Sequence, residues 1–98
     1  MTNLDREQIL QLGAQAHDWT EQHYRDLPAL KGTPDWPEKQ RILLADMSLH
    51  LLRTALISGE IDRAELRRNL YAILSIADQF LPEHELKAVA DQLYREHT

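Results

Sequence analysis

The chain has 98 residues, 43% of them hydrophobic and 28% charged, with no cysteine. This is ordinary globular usage, which speaks against a disordered segment, a disulfide-stapled scaffold and thiolate metal sites. Sixteen acidic residues against eleven basic ones give a formal charge of −5, so direct nucleic-acid binding, which needs a basic face, is not expected. No apolar run approaches the roughly 20 residues of a membrane span. The opening MTNLDREQIL has neither the basic region nor the apolar stretch of a secretory leader, so the expected location is the cytoplasm, without a membrane.

The first helix is expected over residues 3–26. Ile9, Leu12, Ala16, Trp19, His23 and Leu27 recur at spacings of three and four, one face of a helix. Thr2 and Asn3 can cap it, and Asp5 and Glu7 stand in the first turn, where the dipole favours anions. Gly13, Ala16 and Thr20 form a strip of small residues that another helix can cross closely. Residues 27–39, LPALKGTPDWPEK, are the one long connection, because Pro28, Gly32, Pro34 and Pro37 forbid a continuous helix. Such a loop is expected to fold Leu30 and Trp36 over an open end of the core.

The second helix is expected over 36–58, opened by Asp35 and Glu38 at capping-box spacing. Its apolar arc, from Ile42 and Leu44 through Leu52 to Leu56, is so wide that it requires neighbours on more than one side, which puts it at the centre. Lys39, Asp46, His50, Arg53 and Thr54 fill the remaining arc, yet Leu43 and Ile57 lie among them. Two large aliphatics on a charged face are covered either by the proline-rich loop or, together with Met47 and His50, by another chain. The third helix, 62–80, turns Leu66, Leu70, Ile73, Leu74, Ile76, Ala77 and Phe80 inward and places Tyr71 on the opposite side, between Arg67 and Asp78. The fourth, 82–97, opens on Pro82 and buries Leu86, Val89, Ala90 and Leu93. The fold class is therefore all-α: a single-domain four-helix bundle with a long Pro-rich loop between its first two helices.

Residues 58–66, SGEIDRAEL, look like the second half of a calcium loop, with Gly59 and Glu65 correctly spaced. The first half fails, because Leu56 would stand at a ligand position and has no oxygen to offer. Gly59-Glu60-Ile61 followed by Glu65-Leu66 resembles the turn joining two helices in TerB-like tellurite-resistance domains. Ser58 stands where an acidic residue is usual there, and no function is carried over. A structural reading accounts for more residues: Gly59 ends one helix, Asp62 caps the next with Glu65 as its capping-box partner, and Ile61 and Leu66 stand at hydrophobic-staple positions.

No phosphate-binding glycine loop, G-x-S-x-G elbow or H-E-x-x-H pair is present, so neither an enzyme nor a cofactor is expected. His17 and Glu21 stand four apart, as do Asp46 and His50, and each pair can offer two ligands to one metal ion if the faces meet. Both pairs project to the polar sides of their helices and are expected to be solvated, while His23 is expected at the edge of the core. The function expected is that of a non-catalytic interaction domain. Its contacts are Leu43, Met47, His50 and Ile57 with Trp36, and Arg67 and Tyr71 as a second surface anchor. The partner is another protein, a basic nucleic-acid-handling protein that a small acidic inhibitor or regulator would block, or a second copy of the chain in a homodimer. The alternative is a metal- or ligand-binding bundle using His17, Glu21, Asp46 and His50.

Overall fold

Thr2 opens the first helix, α1 (Asn3–Asp26), by accepting the backbone N–H of Asp5 at 3.0 Å, and Asp5 stands in the first turn. The Pro-rich segment then leads into α2 (Trp36–Leu56), α3 (Arg63–Asp78), a 3-10 turn over Pro82–His84, and α4 (Leu86–His97). The structure is a computed structural model and describes residues 1–97. It is all-helical, with no strand among the described residues.

Four local details differ from the sequence reading. Asp35 sits in the helical region itself and makes no side-chain cap, so α2 begins with Pro37 in its first turn rather than with a capping box. Helix α2 stops at Leu56, with Ile57 already extended, and Gly59 supplies the left-handed turn at φ 94° beyond it. Helix α3 ends at Asp78. Pro82 starts only the short 3-10 turn, because Glu85 adopts φ 52° and α4 begins after it. The Asp62 cap forms as its spacing predicts, accepting the N–H groups of Ala64 at 3.0 Å and Glu65 at 3.1 Å.

Each helix packs chiefly on its chain neighbour: α1 on α2, α2 on α3, α3 on α4. Helix α2 thus has neighbours on two sides, but what it buries there is polar. Gln40, Asp46 and Thr54 are the buried residues of α2, and Asn69 of α3 is buried with them. The Thr54 hydroxyl donates to Asn69 Oδ1 at 2.5 Å across the α2–α3 seam. Gln79 Nε2 donates to Gln40 Oε1 at 2.9 Å, while Gln79 Oε1 accepts from the Trp36 indole at 3.3 Å. Trp36 is therefore tied down and half-buried, whereas Leu30 is 73% exposed and Ala29 takes the buried position in the loop.

The apolar face of α1 is not where its periodicity puts it. Leu12 and Trp19 are 65% and 67% exposed, and the residues turned towards α2 are Gly13, His17, Thr20 and Tyr24. The cause is the strip of small residues: at Gly13 the helices cross so closely that a Cβ there would stand 2.9 Å from Leu52 Cδ2. Arg6 fixes the same rotation by donating to the Leu56 carbonyl at 2.7 Å, and Lys39 lies 4.6 Å from the Tyr24 ring centroid at the other end.

Only Ala29, Ile76 and Ala90 are buried apolar residues among the described ones, and no large side chain is fully enclosed. The accessible surface is 7168 Å², against about 5,800 Å² for a folded monomer of 11.4 kDa. The radius of gyration is 15.1 Å, where about 13 Å is usual at this length.

Candidate functional site

The two polar pairs that sequence projection leaves in solvent meet at the α1–α2 seam. His17 Nε2 lies 2.8 Å from His50 Nε2 and 3.3 Å from Asp46 Oδ1, and His50 Nε2 lies 3.5 Å from Asp46 Oδ2. The imidazole rings meet edge to face, 85° apart, with centroids 4.4 Å apart. Asp46 is 8% exposed, and the Thr20 hydroxyl donates to its Oδ1 at 2.7 Å. Glu21 Oε2 stands 3.6 Å from His17 Nδ1, behind the ring rather than among the converging atoms, and Arg25 pairs with its other oxygen at 3.3 Å. Thr20 is the member that helical projection misses, since a small residue at a crossing reads as a spacer.

Beside this cluster lies a groove of about 480 Å³. His17 and His50 form part of its wall, with Leu10, Leu49 and Ile57 supplying apolar surface and Arg53 a cation. Of the residues expected to bind a partner, His50 and Ile57 come together here. Leu43 and Met47 are half-buried on α2, so neither stands as a bare aliphatic on a charged face. Arg67 and Tyr71 belong to the α3–α4 seam instead. Tyr71 packs edge to face on Tyr94 with centroids 4.4 Å apart, and Lys87 reaches its hydroxyl at 2.5 Å and Asp91 Oδ1 at 2.7 Å. Asp78, expected beside Tyr71, accepts the Lys87 backbone N–H at 3.2 Å near the start of α4. Arg67 is half-buried and lines a small cleft with Ala64, Arg68 and Tyr94.

The exposed apolar residues of α1 and α4 are a second feature, and of these sequence reasoning turned Leu12, Trp19 and Val89 inward. Leu12 and Trp19, seven residues apart, share one side of α1, and Val89 and Tyr94 of α4 are nearly half exposed. Among the described residues, no helix is long and apolar enough to cross a membrane. Comparison of the chain with family models, characterised proteins and solved structures returned no match.

Proposed function

We propose that the protein is a non-catalytic interaction module that works as a self-associated unit, a second copy of the chain covering the outward face of α1 around Leu12 and Trp19. The observation that carries this reading is the surplus of surface. The chain exposes about 1,400 Å² more than a monomer of its mass should. If each of two copies hid that surplus, the interface would total about 2,800 Å², within the range of obligate homodimers. A contact across a two-fold axis is self-complementary, so one apolar stripe serves both partners. The −5 charge of each chain then remains on the outside of the pair. It suits a basic partner protein, such as one that handles nucleic acid and whose groove the acidic faces would occupy.

Light scattering after size exclusion tests the first step: the mass should be twice 11.4 kDa at micromolar concentration. Leu12→Glu combined with Trp19→Glu should halve it or leave the chain unfolded by circular dichroism. A wild-type monomer, or an unchanged dimer in the double variant, refutes the reading. For the basic partner, binding should weaken steeply with added salt, and salt-independent capture would remove that part alone.

A further inference from the structure

The geometry points to a site for one divalent first-row transition-metal ion between α1 and α2, ligated by His17 Nε2, His50 Nε2 and the Asp46 carboxylate. This goes beyond self-association and does not depend on it. Ligand atoms from these three residues lie within 4.8 Å of one another. An ion held at about 2.1 Å from each ligand separates neighbouring ligand atoms by about 3.0 Å at right angles and about 3.4 Å at the tetrahedral angle. The two nitrogens are 2.8 Å apart, and the carboxylate presents Oδ1 at 3.3 Å to His17 Nε2 and Oδ2 at 3.5 Å to His50 Nε2, so each residue has an atom near that interval from its neighbour.

A hydrogen bond between the two imidazoles is the competing account, and proton counting limits it. With both rings neutral, one Nε2 carries the proton and the other Nε2 accepts it, and the accepting ring carries its own proton on Nδ1. In that neutral pair, Asp46, at 8% exposure, faces no cation, because among the described residues its ion-pair contacts are the two histidines alone. A nearly buried carboxylate without a cation is costly. A divalent ion satisfies both nitrogen lone pairs and the carboxylate together.

The surroundings match what metal ligands need. Thr20 holds Asp46 Oδ1, and Glu21 Oε2 stands 3.6 Å from the far nitrogen of His17, just beyond hydrogen-bond length; closing that gap would give the carboxylate–histidine arrangement that orients an imidazole towards a metal. Two imidazoles and one carboxylate suit zinc, ferrous iron or cobalt, and are poorly suited to calcium or magnesium, which prefer all-oxygen shells. Both histidines also face the groove, so three protein ligands leave coordination positions open on that side, as in metal sites that bind water or a small ligand.

The test uses the full chain without a histidine tag, stripped with chelator at neutral pH. Zinc should bind at one equivalent per chain by calorimetry, and cobalt should give visible absorption that zinc abolishes. Calcium and magnesium should give no heat. His50→Ala should lose the cobalt spectrum while keeping its helical circular dichroism, since the ring is partly exposed. Glu21→Gln should weaken zinc binding about tenfold or more, and His23→Ala and His84→Ala should leave it unchanged. Failure of the wild-type chain to bind zinc at one equivalent, or undiminished binding by His50→Ala, overturns the proposal.

Discussion

Truncating Trp19 to alanine isolates the largest single element of the proposed self-contact. The side chain is 67% exposed, which on a tryptophan of about 250 Å² is about 170 Å² open to solvent. Covering that area at about 25 cal/mol per Å² contributes about 4 kcal/mol for each chain. This falls in the range measured for tryptophan anchors at interface centres, roughly 2–4 kcal/mol. Both chains of the dimer lose it, about 8 kcal/mol together, so the dissociation constant should rise by about six decades and leave a monomer. Sedimentation velocity over a concentration series reads this directly. Circular dichroism at the same concentrations should show helical content falling no earlier than the dimer does, because folding is linked to association. A second readout uses Trp36→Phe, which leaves Trp19 as the one tryptophan: its emission should shift to the blue as concentration rises through the dissociation constant. Equal dissociation constants for wild type and Trp19→Ala, or emission that does not change with concentration, would refute the placement of this contact.

Because little apolar surface is buried within one chain, folding should be linked to association, and the melting temperature should climb with protein concentration; a flat dependence by calorimetry counts against it. Asp62→Ala removes two capped N–H groups at the start of α3 and should cost about 1 kcal/mol in urea denaturation, with no effect of calcium on either protein. Asn69→Ala leaves the buried Thr54 hydroxyl without its partner and should cost about 1–3 kcal/mol; Thr54→Val in the same chain should recover part of it, and strict additivity would deny the coupling. The Lys87 ammonium is held above its ordinary value by its hydrogen bond to Asp91 and then by that to Tyr71. Its stabilising contribution is therefore present in full below the ordinary lysine range and disappears as pH rises through its own higher value. NMR titration should find Lys87 deprotonating later in the folded chain than in urea, and the reverse order would contradict the contact.

What the sequence discloses is mostly local. Helix existence and order follow from periodicity and from Pro28, Pro34, Pro37 and Gly59, and the caps at Thr2 and Asp62 are decided within a few residues of themselves. The left-handed Glu85 has no comparable signal, since the residue type disfavours that conformation. The rotation of α1 is hidden for a different reason. Periodicity identifies Leu12 and Trp19 as an apolar face, but it says nothing of whether the same chain covers that face. The close approach at Gly13 and the Thr20–Asp46 bond choose another face for α2. The ligand-like cluster is half legible: each pair of residues four apart can be seen, but the meeting of His17 with His50 depends on that same rotation.

The polar seams and the open apolar faces are two consequences of one arrangement. On the α1 side of α2 the buried contact is Asp46 with Thr20 and His17; on the α3 side it is Thr54 with Asn69, and at the N-terminal end Gln40 with Gln79. A satisfied hydrogen bond of this kind contributes only about 1 kcal/mol net, whereas an unsatisfied buried partner costs about 1–3 kcal/mol. Such seams discriminate strongly between registers while adding little to stability: sliding α1 by one turn would separate Thr20 from Asp46 and bring side chains against Leu52 where Gly13 now gives room. A chain that spends its buried contacts on register needs its hydrophobic stabilisation from elsewhere. The elements available for it are those left outside, Leu12 and Trp19 on α1 and Val89 and Tyr94 on α4. Register fixed within the chain and apolar burial completed between chains would make an assembled unit whose mating faces are already oriented before contact, and preorganisation of that kind lowers the entropic cost of association.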